Sequence, residues 1–316
     1  MDLLRRQAER HSVRLGKMPG LRRGIGDDCA VLACSPRKDF LITTDLFMEG
    51  VHFRREWQAP ESLGYKALAR SLSDIAAMGG TPRYAFLSLG LPPRTTETWM
   101  SAFLDGFFGL AATEKVRLAG GDTGRSQNGF VADVIVAGEV PRQQAVLRSG
   151  ASPGDEIWVT GALGLAAVGL RALEQNEKNS CPEEALQAFF YPHPRVRIGR
   201  WLGRRKLASA MIDLSDGLSL DLARLCKESG VGAKIYESSI PCIAQTPLSC
   251  ALHGGEDLEL LFTVPARLSR DLPRRISGVK LTRIGEIVPR RGRNKDILLV
   301  RDGKERALPI RGFQHF

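Results

Sequence analysis

Carboxylates recur where this sequence ends its apolar runs, and that recurrence restricts the available folds more than any other feature. Residues 24–32 read GIGDDCAVL, with Asp27 and Asp28 adjacent after a glycine turn. FLITTD (40–45) is a short β-rich run closing on Asp45, LSDIAAMGG carries Asp74 one turn before a double-glycine stop, and AGGDTG carries Asp122. Asp213 and Asp216 frame IDLSDGL, and Glu256 and Asp257 follow HGG. Two like charges about 4 Å apart cost on the order of 4 kcal/mol at an effective dielectric near 20. Such acids, if buried together, need a cation or protons. Singly, each is also ordinary chemistry, since Asp beside Gly suits turns and Asp before a helix caps it. Asp74 fits neither, because the last turn of a helix disfavours Asp by propensity and by the macrodipole. Residues at the carboxyl ends of α/β strands converge on one crevice. Convergence here predicts a site for hard divalent cations, with Mg²⁺ bridging carboxylates and substrate phosphates.

The intervals between the acids read as alternating strands and helices. ESLGYKALARSLSDIAAMGG (61–80) puts Leu68, Leu72, Ile75 and Ala76 on one helical face. YAFLSLGLP (84–92) reads as a strand, residues 96–115 as a second amphipathic helix, VRLAGGDTG (116–124) as a strand running into a glycine turn, and FVADVIVAGEV (130–140) as another strand. This alternation predicts a layered α/β unit with a half-covered sheet. The polar segment PRQQAVLRSGASPGD (141–155) marks a domain boundary, dividing the chain into 1–140 and 141–316. The strand EIWVTG and the helix ALGLAAVGLRALEQ open a second α/β half.

Composition excludes several classes of function. The net charge of +10 is carried mainly by dispersed arginine doublets such as Arg22–Arg23 and Arg204–Arg205. A nucleic-acid footprint would be one basic stripe with interleaved aromatics, so no nucleic-acid partner is expected. No apolar run reaches the roughly 18 residues that span a bilayer. MDLLRRQAERHSV reads as an amphipathic helix rather than an export signal. Six cysteines without a CxxC pair and five scattered histidines indicate reduced thiols, a cytoplasmic protein and no zinc site. Neither GxxxxGK[ST] nor the protein-kinase signature set is present. A phosphate site would therefore depend on metal ions, with Arg148 in the boundary segment as a candidate direct cation.

Taken together, GIGDDCAVL, TTDLFMEGVHF, GYKALARSLSDIAAMGG, GGDTGRS, LRSGASPGD, IDLSDGLSLDL and GGEDLELLF stand in the order and rough spacing of one family. From about residue 24 onward the chain resembles bacterial thiamine-monophosphate kinases, within the superfamily that includes aminoimidazole ribonucleotide synthetase and selenophosphate synthetase. The resemblance implies an α/β (α+β) two-domain synthetase-like fold. In it an ATP- and Mg²⁺-binding N-terminal domain pairs with a second copy as a homodimer to form a β-barrel, beside a C-terminal α/β domain. It implies transfer of the γ-phosphoryl group of ATP to thiamine monophosphate with several Mg²⁺ ions. By the same resemblance Asp28, Thr44, Asp45, Asp74, Asp122 and Asp213 hold Mg²⁺, with Asp216 on a further ion. Gly121, Asp122, Arg148 and Ser215 contact ATP, and His52, Glu256 and Phe313 face the thiamine phosphate. On this reading the acids are metal ligands and not acid–base catalysts.

Structural roles are open to several of these residues: His52 as a core or edge histidine, Phe313 as a packing anchor, Thr44 and Ser215 as turn hydroxyls. Two positions depart from the family pattern, with Ser71 where Asn is frequent and Leu258 where Tyr is frequent. Rival readings are another ATP-dependent member of the superfamily, a basic nucleic-acid-binding protein with structural acidic turns, and a catalytically silent scaffold.

Overall fold

The computed structural model describes residues 20–243, 246–290 and 296–313. The helix expected in MDLLRRQAERHSV lies outside them. The first half contains β1 (Leu21–Arg23), β2 (Ala30–Ala33), β3 (Lys38–Met48), α1 (Pro60–Ala77), β4 (Thr81–Leu91), α2 (Glu97–Glu114), β5 (Arg117–Arg125) and β6 (Val131–Pro141). Its strands form one sheet in the order β1-β2-β3-β6-β4-β5. The pairs are antiparallel except β4 with β5.

Both long helices form where period and caps place them. Pro60 at the first helical position pre-sets the backbone of α1. Thr96 Oγ1 accepts from the Trp99 N–H at 3.2 Å to cap α2, and left-handed Lys115 ends it. Leu63, Leu68, Leu72 and Ile75 of α1 are fully buried, each contributing about 1.5–3 kcal/mol. The helices approach closely because both carry glycine at the contact. A Cβ on Gly64 would lie 1.8 Å from the Phe103 carbonyl oxygen, and one on Gly106 would lie 1.8 Å from that of Glu61.

Strand parity divides the sheet into two faces. Burial alternates along β3 and β6, so Leu41, Thr43, Asp45 and Phe47 point toward α1, while Phe40, Thr44 and Leu46 point away. The glycine turn expected in GGDTG is absent. Those residues continue β5, the exposed edge strand, paired in parallel with β4 through Leu87↔Gly121 and Ser88↔Asp122. Gly121 tolerates this pairing because it lacks a Cβ, which would meet the Leu87 carbonyl oxygen at 1.9 Å.

The second half contains β7 (Asp155–Thr160), α3 (Leu165–Glu174), α4 (Glu183–Phe190), α5 (Val196–Arg205), β8 (Ala210–Leu214), α6 (Leu218–Ser229) and β9 (Gly232–Tyr236). Then come α7 (Leu248–His253), β10 (Glu259–Pro265), β11 (Arg275–Ile276), β12 (Val279–Val288), β13 (Ile297–Arg301) and β14 (Lys304–Ala307). The second sheet runs β14-β13-β9-β12-β7-β10-β8, with β11 on β12. The fold is thus mixed α/β in two units, but their main core is shared. Leu72, Phe103 and Phe130 belong to one apolar cluster with Leu202, Met211 and Phe262. Helix α1 lies between the sheets, and α5 seals its end: a Cβ on Gly199 would sit 2.0 Å from the Ala76 carbonyl oxygen.

Candidate active site

A cavity of about 490 Å³ opens where the two units meet, lined by Asp27, Asp45, Arg70 and Asp74 from the first and Arg148, Asp213, Ser215 and Asp216 from the second. Asp28 enters from the turn before β2, Asp74 from the last turn of α1 and Asp213 from the buried strand β8. One carboxylate oxygen from each of the three lies within 4.8 Å of the others. Thr43 donates its hydroxyl proton to Asp74 Oδ2 from the inward face of β3. Burial raises the pKa of Asp74 and Asp213 well above the carboxylate range, and the neighbouring acids add to it: Asp45 and Asp213 act on Asp74, Asp28 and Asp221 on Asp213. Burial also raises Asp45, with the Arg70 charge opposing it. Its Oδ2 is buried without a hydrogen-bond partner.

Hard oxygen donors packed this closely fit a magnesium site. Asp28, Asp74 and Asp213 each bring an oxygen to one place that could hold such an ion, and Asp45 lines the cavity with Asp74 and Asp213. Arg148 neutralises part of the charge by donating Nε–H and Nη2–H to Asp28 at 3.2 and 2.8 Å. Asp27 stands beside this pair, accepting from the Arg148 amide at 3.1 Å and from Arg23 Nε at 3.1 Å. Its pKa is pushed up to about 6 by burial and by Asp28.

Asp216 and Ser215 occupy the turn between β8 and α6. The Asp221 carboxylate accepts the Asp216 and Gly217 amides at 3.0 Å each and fixes that turn, while Arg224 Nη1 reaches Asp216 at 2.5 Å and Asp221 at 2.7 Å. The GGED segment is threaded against the same turn: the Glu256 N–H donates to the Ser215 carbonyl at 2.8 Å and the Leu258 N–H to that of Leu214 at 3.0 Å. Glu256 and Leu258 both adopt positive φ, +73° and +49°. Strained backbone of this kind costs of order 1–3 kcal/mol per residue and gathers at functional sites.

His52, Glu256 and Phe313 also come together. The rings of His52 and Phe313 are 6.1 Å apart, and His52 is among the charges that lower the Glu256 pKa. His52 Nδ1 accepts from the Met48 amide at 3.0 Å, and the Phe313 amide donates to the Asp216 carbonyl at 3.1 Å. The aromatic pair therefore borders the acidic turn. Glu256 is held ionised, its pKa down to about 2, by Lys66 and Arg70 despite burial. Lys66 Nζ is 2.9 Å from Glu256 Oε2 and 3.4 Å above the Phe189 ring. Arg70 Nη1 donates to Glu256 Oε1.

Three sequence candidates join neither the carboxylate cavity nor the His52–Glu256–Phe313 group in the single chain. Thr44 points to the other face of β3, where its hydroxyl donates to Asp133 at 2.7 Å. It is Thr43 that meets Asp74, because neighbouring residues of a strand face opposite ways. Gly121 and Asp122 lie on the edge strand. The register Asp45↔Val134, Val134↔Leu87 and Leu87↔Gly121 sets Gly121 three strands from Asp45, about 14 Å at the usual strand spacing. Sequence reasoning missed Lys66 and Arg70, although they stand eight and four residues before Asp74 on one face of a helix.

Comparison with known proteins matches residues 26–140 to the N-terminal domain, and residues 152–294 to the C-terminal domain, of AIR synthase related proteins. The chain is 37% identical over 305 residues to a thiamine-monophosphate kinase of Bacillus subtilis, covering 93% of each chain. The structure titled "AaThiL complexed with AMPPCP and TMP" superposes with a TM-score of 0.83 at 30% identity, over 98% of this chain and 96% of that one. The thiamine-monophosphate kinase of Stenotrophomonas maltophilia K279a gives 0.74 at 35% identity, over 94% and 95%. The two family matches and the identity along nearly the whole chain lead to one conclusion: this chain belongs to the thiamine-monophosphate kinase family of AIR synthase related proteins.

Proposed function

We propose that this chain phosphorylates thiamine monophosphate at the expense of ATP, forming thiamine diphosphate and ADP. The observation that carries the reading is the junction of a buried three-carboxylate cluster with the His52–Phe313 pair and the ionised Glu256. Two phosphorylated substrates bring about six negative charges, taking a phosphomonoester as up to −2. Mg²⁺ bound by Asp28, Asp45, Asp74 and Asp213, with Asp216 on a further ion, would neutralise that charge and align the two phosphates.

The chain's own groups do the rest. Ser215 and Arg148 line the cavity beside the cluster and are assigned to the nucleotide. His52 and Phe313 present aromatic surface, and Glu256 negative charge, to the cationic thiazolium end of the acceptor. An acceptor phosphate is already ionised near neutral pH, so no side chain has to remove a proton from it. Its oxygen bonds to the γ-phosphorus while the bond to the ADP oxygen breaks.

The paired state and the domain division are part of the same reading. Phe40, Leu46, Tyr84 and Phe86 are all exposed on the sheet whose other face carries α1 and α2. Such a surface, ending in the unpaired edge β5, suits a second copy better than water. Thr44, Gly121 and Asp122 lie on that face and edge, so their assigned contacts with metal and nucleotide depend on the second protomer. A division at 140/141 is supported by family matches that end at 140 and resume at 152.

The deciding experiment is a coupled assay for thiamine diphosphate with Mg²⁺ titrated. Turnover of ATP and thiamine monophosphate that rises with Mg²⁺ and saturates is expected. A chain inert with thiamine monophosphate but active with another acceptor of the superfamily would falsify the reading, and a phosphorylated side chain trapped on the pathway would refute direct transfer.

A further inference from the structure

Among the described residues, Arg70 is the cation that both bonds Glu256 and lines the carboxylate cavity. Its Nη1 donates to Glu256 beside the aromatic pair, while its side chain lines the cavity with Asp45 and Asp74. Its Nε–H is buried and has no hydrogen-bond partner. Glu256 does not need Arg70 for neutrality, because the fully buried Lys66 ammonium already lies 2.9 Å from its other oxygen. A buried guanidinium with an unused donor is costly unless something takes that donor. An acceptor whose ring lies against His52 and Phe313, and whose phosphate must reach the carboxylate cluster, passes its phosphate across Arg70. The guanidinium fork suits two phosphate oxygens at once.

Resting on the functional reading above, we propose that Arg70 grips the phosphate of thiamine monophosphate and thereby selects the phosphorylated acceptor over free thiamine. Nε–H and a neighbouring Nη–H donate to two non-bridging oxygens of that phosphate, while Glu256 and Lys66 keep the guanidinium plane fixed. Arg70 exchanges no proton in the reaction. Its part is to hold the attacking group between the ring subsite and the acids.

The test compares the full-length wild type with Arg70→Gln and Arg70→Lys, using thiamine monophosphate as substrate and unphosphorylated thiamine as competitive inhibitor. For Arg70→Gln the KM for thiamine monophosphate should rise about 10- to 100-fold, the size of a lost charge-assisted contact. The KM for ATP and the inhibition constant for thiamine should move less than about twofold, since neither ligand presents that phosphate to Arg70. Arg70→Lys, which keeps the charge without the fork, should fall between. Equal weakening of thiamine and thiamine monophosphate would show that Arg70 merely positions Glu256, and the proposal would be wrong. An unchanged KM for thiamine monophosphate would overturn it as well. If Arg70→Gln unfolds, Arg70→Lys carries the same comparison. A wild type that leaves thiamine monophosphate untouched removes the functional reading and this inference together, whereas active wild type with indifferent variants removes the inference alone.

Discussion

Asp257 accepts the Gly164 and Ala166 amides at the start of α3, yet burial, Glu259 and Glu256 push its pKa up to about 8. Cys242 and Cys250 also face it. Between the unfolded value of 3.8 and about 8 the folded chain keeps a proton that the unfolded chain releases. That contribution to stability is full below the lower value and is lost as pH rises through the upper one. Asp257→Asn should therefore flatten the fall of unfolding free energy between those limits, measured by urea melts across pH. Parallel slopes for variant and wild type would contradict the assignment. At Asp213 the balance is between charge and function. Asp213→Asn removes one member of a repelling set, so without metal it should melt no lower than wild type. With Mg²⁺, turnover should fall by more than the roughly 10- to 100-fold typical of losing a residue that only orients a ligand. A metal-free variant that melts well below wild type would mean the carboxylate is structural.

At the scale of elements, contact between α1 and α2 depends on two small residues. Gly106→Ala drives a Cβ into the Glu61 carbonyl and should cost about 1–3 kcal/mol. Gly109→Ala, where a Cβ meets nothing within 4 Å, should instead gain up to about 1 kcal/mol of helix propensity. Thermal melts of the pair check both signs, and equal losses would refute the packing argument. Both helices were readable in the sequence because an amphipathic pattern of helical period and, for α1, a double-glycine stop are local signals. GGDTG was not, since its extended course comes from pairing with Leu87 and Ser88, which no local signal reports. Parity decided the threonines: TTD shows two hydroxyls, and only the sheet shows that Thr43 shares the face of Asp45. Asp28, Asp74 and Asp213 were legible as an unusual habit of acids, but their meeting is a fact of tertiary structure. Arg70 was overlooked because a basic residue in a helix resembles a solvated one until the helix is known to be enclosed.

The whole molecule adds two constraints. The exposed outer face of the first sheet predicts self-association. Phe86→Lys, at a position already 39% exposed, should leave the fold of the single chain intact yet shift sedimentation toward monomer. Activity should fall with it, if Asp122 depends on the second copy. A variant that sediments like wild type would argue against pairing through this face. The other constraint is the seam along α1, where Gly199 rests on Ala76 and Gly203 on Gly79, backbone to backbone, within an apolar core common to both units. Prising the units apart would wet that core, so the enzyme cannot work as a jaw that swings open and shut around its ligands. Traffic must use the solvent-facing mouth, and the adjustments of each catalytic cycle fall to short turns and side chains while the frame keeps still.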